Sequence, residues 1–288
     1  MRAENNVKKK SQFILIMSRL SKNKAAMIGL FIFLIEIIAA IFAMKIAPYD
    51  YSEIDNSARL LAPSLEHLCG TDKYGRDLFS RILYGARYSF SIGIISTFGS
   101  AVLGMIIGGI AGYFGGNVDN LIMRFLDVVQ AIPSLLLMIV IAASLGTGYG
   151  VTIVALLVST APSRARLFRA SILNIRSSEY IEVAQSINCS TLRIMLTHVV
   201  PNALSPMIVD VTMGVANSIN IVAGLSFIGL GVPLSVPEWG ALLSAGRENM
   251  RMYPHLVIAP GIAIMITILA LNILGDGLRD AMDPKLKN

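Results

Sequence analysis

The chain has 288 residues, of which 55% are hydrophobic and only 15% charged, where a soluble domain of this length carries about 25% charged residues. That excludes an ordinary soluble enzyme and points to an all-α polytopic membrane protein. The net charge of +6 is gathered near the termini and in one loop, the pattern of membrane topology rather than of a nucleic-acid surface, so no nucleic acid is expected as a partner.

Residues 1–24 hold Arg2, Lys8, Lys9, Lys10, Arg19, Lys22 and Lys24 and are expected to be cytoplasmic. Residues 25–46 then run apolar except for Glu36 and Lys45. A secretory signal has an apolar stretch of about 7–15 residues and a small-residue cleavage site. This run is too long and reads as a retained first transmembrane helix. Glu36 has two readings: a protonated or helix-facing carboxylate, or a contact to a partner helix.

Residues 47–88 form a near-neutral stretch with Pro48 and Pro63, expected outside and to include an interfacial helix. Gly70, Thr71, Asp72 and Gly75 read as a turn. A metal site of His67, Asp72 and Asp77 is the alternative, and the turn is preferred. The run from His67 to Arg81, with Gly85-Ala86-Arg87 after it, resembles a signature of the dipeptide, oligopeptide and nickel class of ABC-importer permeases.

About five further spans follow, each judged against the roughly 20 apolar residues needed to cross a bilayer. Residues 90–113 carry Gly104, Gly108 and Gly112, a small-residue face for close helix packing. After an inside loop at 115–120 comes a span over 121–145, with Arg124 and Asp127 placed to snorkel or pair at i, i+3 and a kink at Pro133. Residues 146–150 are an outside turn. The fourth span starts at Val151 and its apolar part ends at Pro162. Arg164, Arg166, Arg169 and Arg176 then mark the inner side.

Residues 178–201 are a polar, helix-forming island. Ser178 suits an N-cap, with Glu179 in the first turn where the helix dipole favours an anion. Tyr180, Val183, Ala184 and Ile187 are expected to share one face. Asn188 tolerates the left-handed conformation that ends a helix. Ser190 caps a second short helix, faced by Leu192, Met195, Leu196 and Val199, and Pro201 ends it or starts the next. On spacing alone, an amphipathic loop lying on lipid is the competing reading.

The island resembles the cytoplasmic loop of ABC-importer permeases: Glu-Ala-Ala, three residues, Gly, nine residues, a large residue, one more, an aliphatic residue and Pro. Here these are Glu182-Val183-Ala184, Asn188, His198, Val200 and Pro201. Val183 replaces the first Ala and Asn188 replaces Gly. The resemblance implies that Glu179, Tyr180, Glu182, Val183, Ala184, Asn188, His198 and Pro201 enter a groove on a separate ATPase subunit, a helix-in-groove contact.

The fifth span, 206–228, has Asp210, Asn217, Ser218 and Asn220 inside an apolar run. Asn217 and Asn220 are the pathway candidates, with helix–helix hydrogen bonding as the alternative. An outside loop, 232–254, carries Pro237-Glu238-Trp239-Gly240, where Trp239 suits the membrane interface. Residues 255–278 are the sixth span, followed by a cytoplasmic tail, 279–288. The 224–231 run, the Trp239 loop and the stretch from Gly275 to Lys285 resemble the same permease class.

Cys69 and Cys189 are the only cysteines. This topology puts them on opposite sides of the membrane, so no disulfide or metal pair is implied. No Gly-x-x-x-x-Gly-Lys-Ser/Thr occurs, so the chain carries no phosphate-binding loop of its own, and there is no His-Glu-x-x-His or Gly-x-Ser-x-Gly. The resemblance implies the type I ABC-importer permease fold, with coupling helices between spans four and five and both termini cytoplasmic, in a bacterial or archaeal plasma (inner) membrane. It further implies a second homologous permease, two ATPase subunits holding ATP and Mg, an extracytoplasmic binding protein, and no cofactor on this chain. Short peptides are the expected cargo, with nickel or a metal chelate as the alternative. A different class remains open: a stand-alone ion-coupled transporter or channel using Glu36, Asp127 and Asp210.

Overall fold

The computed structural model describes residues 12–282. Arg2, Lys8, Lys9 and Lys10, and the tail from Asp283 onward, lie outside the described residues. The short helix α1 (Gln12–Leu20) precedes the apolar α2 (Lys24–Ile41). Asn23 closes the start of α2, its side-chain oxygen accepting from the Ala26 N–H at 3.1 Å. A further turn, α3 (Ala43–Ile46), ends the first span.

Turns follow, and the helix they lead into starts at Leu78. The segment to Asp77 is built from turns, with one 3-10 turn at Asn56–Ala58 and positive φ of 77° at both Gly70 and Gly75. An isolated bridge between Thr71 and Asp77 pins its last loop. Asp77 then caps α4 (Leu78–Phe114), accepting from the Ser80 N–H at 2.7 Å. The helix that carries the second span therefore starts at Leu78 rather than Phe90. Ser80 and Arg81, in its first turn, are both buried.

Gly115, at φ +67°, ends α4, and α5 (Gly116–Gln130) begins at once, so no loop occupies 115–120. α5 and α6 (Ser134–Leu145) meet at Pro133 with a 77° bend. The expected kink is a break, because Pro133 donates no hydrogen bond and pushes its predecessor out of the helical region. α7 (Tyr149–Arg176) passes through Pro162 without stopping. α8 (Glu179–Ser186) and α9 (Thr191–Ile194) form the polar island, and a π-helical turn, Met195–Val199, runs straight into α10 (Val200–Phe227). Pro201 falls in the first turn of α10 with no break before it, and the fifth span begins before Pro206. α11 (Trp239–Gly246) interrupts the expected outside loop, and α12 (His255–Met282) runs past Leu278.

Among the described residues there is no β-strand, and five helices are long and apolar enough to cross a membrane, or six when α5 with α6 is one span. The expectation of an all-α polytopic fold holds. Phe31, Leu121, Phe125 and Leu269 are exposed, as lipid-facing side chains are. Inside, Phe90, Ile219, Trp239 and Leu271 form one core cluster. Trp239 is buried, donating from Nε1 to the Ile82 carbonyl at 2.9 Å with its ring 5.3 Å from Phe90. It is a core residue rather than an interfacial one. Glu238 fixes its helix, accepting from the Gly240 and Ala241 N–H groups at 2.9 Å each. Burial, the largest influence, pushes the Glu238 carboxyl above the usual carboxylate range.

α4 is the axis of the bundle, and its glycine face meets α7. A Cβ on Gly104 would stand 2.7 Å from the Arg164 Cβ, and one on Gly112 would stand 2.9 Å from the Ile172 Cβ. A Cβ on Gly108 would run into the Ala165 carbonyl. Overpacking of this kind costs about 1–3 kcal/mol. Gly108→Leu is therefore expected to lower the melting temperature of the detergent-purified protein by several degrees, whereas Gly261→Ala, which meets no atom within 4 Å, leaves it unchanged. Equal melting of the two variants would show that α4 and α7 do not pack on this face.

Candidate functional site

α8 presents two different faces. Ile181 and Ala184 are buried and pack with Phe168 and Ile172 of α7 and with Val199, Ala203 and Met207 at the root of α10. Tyr180, Val183 and Ile187 are 47%, 60% and 69% exposed. The single face expected for Tyr180, Val183, Ala184 and Ile187 is therefore split. Ala184 turns inward with Ile181, and the other three form an outward apolar stripe at helical spacing. Glu179 and Glu182 are exposed beside that stripe. Neither is ion-paired among the described residues.

Asn188 ends α8 in the left-handed conformation, at φ +56°. The Cys189 N–H reaches back to the Ala184 carbonyl at 3.1 Å, the six-to-one bond of a Schellman cap. The Cys189 side chain joins the same apolar cluster, the hydrophobic contact that accompanies such caps. The chain re-enters helix with the Ile194 N–H donating to the Ser190 carbonyl at 3.0 Å. On the expected second face Val199 is buried and Met195 half-buried; the side chains of Leu192 and Leu196 lie outside the described residues. The His198 ring stands edge-on to Tyr180, centroids 6.5 Å apart, which brings the two ends of the island together. Pro201 is exposed.

The arginines above this loop are more than a topology marker. Arg164, buried, pairs with Asp210 of α10 at 2.8 Å, donates to Thr160 at 2.9 Å and reaches Ser100 of α4. One turn further on, Thr97 and Ser218 join α4 to α10 at 2.9 Å. Arg166 pairs with Asp127, and Arg169 grips Asp119 with two nitrogens, tying α7 to α5. Asp127 thus bonds across helices, not to Arg124 at i, i+3. Sequence reading missed these pairs, although lone acids in apolar runs opposite a basic cluster were the available signal.

Asn217 and Asn220 are exposed on α10, on a stripe with Gly224 that turns away from the chain's own core. Ser218, between them, is the residue that bonds within the bundle. Glu36 faces α12, accepting from the Thr267 hydroxyl at 2.9 Å. His67 bonds Asp77 at 2.9 Å and Asp72 pairs with Arg76 at 2.7 Å, so the three residues considered for metal build the turn. No group of three or more His, Cys, Asp or Glu side chains suited to a metal lies together among the described residues.

Comparison with known proteins gives consistent matches. Residues 104–288 match the family described as binding-protein-dependent transport system inner membrane component, and residues 11–63 match the N-terminal TM domain of oligopeptide transport permease C. The chain is 42% identical over 270 residues to the dipeptide transport system permease protein DppC of Alkalihalophilus pseudofirmus, covering 94% of this chain and 89% of the relative. It is 43% identical over 272 residues to the glutathione transport system permease protein GsiD of Escherichia coli O6:K15:H31, covering 93% and 89%. Among solved structures, the inward-facing MetNI methionine ABC transporter matches with a TM-score of 0.59 at 17% identity, over 70% of this chain and 96% of that one. An amino acid ABC transporter matches at 0.54 and 13%, over 70% and 94%. At such identities the likeness is one of fold.

The cap at Asn188 has a direct test. A left-handed residue other than Gly or Asn costs roughly 1–2 kcal/mol, and a β-branched one is a steric outlier there. Asn188→Gly is expected to keep the amide hydrogen-exchange protection of 179–199, and Asn188→Val to lose about tenfold or more of it. Unchanged protection in the valine variant would mean that the chain does not turn at this residue.

Proposed function

We propose, from the premise that this chain belongs to the binding-protein-dependent transport system inner membrane components, that it forms half of a translocation pathway for short peptides and takes up the ATPase stroke through residues 178–201. It is a membrane-spanning permease of an ATP-binding-cassette importer, with the type I permease fold. The observation that carries the coupling role is the divided surface of α8. Ile181 and Ala184 anchor the helix to α7 and α10, while Tyr180, Val183 and Ile187, with Glu179 and Glu182 beside them, are left for a partner. A helix bound on one side and apolar on the other suits a groove on a separate ATPase subunit.

ATP and Mg then sit on the two ATPase subunits, and this chain holds no cofactor. A second permease of the same family supplies the other half of the pathway, and a binding protein delivers cargo from outside. The loop and both termini face the cytoplasm in this arrangement. Asn217 and Asn220 face the pathway, a role supported by their place on an exposed polar stripe of an otherwise apolar helix. Relatives named for dipeptide and glutathione support short peptides as cargo; nickel finds no support in those names. The stand-alone ion-coupled reading is weakened because Asp127 and Asp210 are ion-paired and Glu36 is hydrogen-bonded to Thr267.

ATP binding favours the closed ATPase pair, and the loop carries that motion into α7 and α10. Only a state to which ATP binds more tightly can be populated in this way. The test reverses one charge at the proposed contact, where like charges cost several kcal/mol. Glu182→Lys with Tyr180→Ala is expected to leave pairing with the second permease intact, to weaken co-purification of the ATPases, and to abolish substrate-stimulated ATP hydrolysis in the reconstituted complex. Unchanged co-purification and hydrolysis would remove this loop from the coupling path and leave it as a lipid-surface element.

A further inference from the structure

At the end of the bundle opposite the 178–199 loop, Asp50, Tyr51, Tyr84, Arg87, Tyr88 and Tyr149 line an open cleft of about 530 Å³. Sites for small ligands run from roughly 300 to 1,000 Å³. Its four tyrosines are half-buried and form two ring pairs, Tyr51 with Tyr84 at 4.8 Å and Tyr88 with Tyr149 at 6.3 Å. Arg87 is exposed and forms no ion pair or side-chain hydrogen bond among the described residues. Asp50 uses one carboxylate oxygen for the Ser52 N–H at 2.8 Å and the Ser52 hydroxyl, which leaves the other oxygen free. Those Ser52 bonds hold the Asp50 carboxyl below the usual carboxylate range, so it stays ionised.

An aromatic belt at a membrane surface would account for the tyrosines alone. It gives no reason for an unpaired cation and a free carboxylate oxygen around one volume. We propose that this cleft receives a zwitterionic short peptide at the outer mouth of the pathway, Arg87 taking the terminal carboxylate, Asp50 the terminal ammonium, and the tyrosine faces the side chains. The proposal rests on the peptide-importer reading and deepens it. Guanidinium and carboxylate match in a two-pronged geometry, and tyrosine offers rigid contact area at little conformational cost.

The test is equilibrium binding of radiolabelled alanyl-phenylalanine, its C-terminal amide and its N-acetyl derivative to the assembled importer complex in nanodiscs, without binding protein. Wild type is expected to prefer the free dipeptide over each derivative by about tenfold or more, the ratio a single charge-assisted hydrogen bond supports. Arg87→Ala should erase the preference over the amide and keep that over the N-acetyl form. Asp50→Asn should do the reverse, a crossed pattern that general damage to the fold would not produce. Retention of both preferences by both variants overturns the proposal, as does a complex that imports the dipeptide yet shows no saturable binding. A complete complex with binding protein and ATP that imports no peptide at all would overturn the importer reading itself, and the cleft assignment with it.

Discussion

The arrangement depends first on how near the backbone of α7 comes to that of α4. Between helices in lipid there is no hydrophobic drive of the kind that operates in water, so association rests on close packing and hydrogen bonds. Gly104, Gly108 and Gly112 provide the packing by leaving no side chain between α4 and the backbone of Arg164, Ala165 and Arg169. α7 leads directly into α8. A helix seated this closely on the bundle axis gives the loop at its end a fixed base.

That closeness sets a second condition, because polar groups carried into the contact need partners there. Arg164 finds Asp210, Thr160 and Ser100 within the contact. Ser96 and Ser100 return their hydroxyls to their own helix, at the Ile92 and Ser96 carbonyls, 2.6 and 2.7 Å away. Breaking a buried pair by removing one partner costs about 3–5 kcal/mol, much of it the charge left behind. The Arg164–Asp210 pair is nearer the lower figure, since Asp210 keeps 35% of its side chain exposed. At the other end Arg81 is less well served: it is buried, Asp72 lies 3.5 Å away, and its Nε and Nη1 have no hydrogen-bond partner.

Composition and span length made the fold class legible. The Gly104–Gly108–Gly112 spacing made one helix contact legible, since small residues every fourth position on an apolar helix open a groove that a neighbouring backbone fills. Asn188 was readable because few residues tolerate positive φ. What escaped were features decided by tertiary partners. Trp239 looks interfacial because its ring is amphipathic. Nothing local says that Glu238 will cap α11 inside the protein or that Ser80 will be buried. The split face of α8 escaped because helical spacing places Tyr180 and Ala184 side by side. Which of the two turns inward depends on α7 and α10. In the same way Asp127 has a neighbour at i−3 in Arg124, and the partner it takes, Arg166, is 39 residues away.

The placement of the prolines and of the Arg164–Asp210 pair decides which turns of α7 and α10 are weakened and which are braced. Pro162 removes the α7 hydrogen bond to the Val158 carbonyl, and Pro206 removes the α10 bond to the Asn202 carbonyl. Arg164 lies on the loop side of Pro162, whereas Asp210 lies on the core side of Pro206. The ion pair therefore fastens the lower arm of α7 to the upper part of α10, and it bridges both weakened turns. Arg166 and Arg169 bind that same lower arm to α5. The remaining path from the loop into the core runs through Met195–Val199, which is already π-helical, and on to Pro206. Around it the Asn202 side chain, rather than a regular ladder alone, holds the His198 carbonyl at 2.6 Å. π-helical turns are rare and are frequent at functional sites. A force on the outward stripe of α8 thus meets a stiff arm in α7 and a compliant one in residues 195–206.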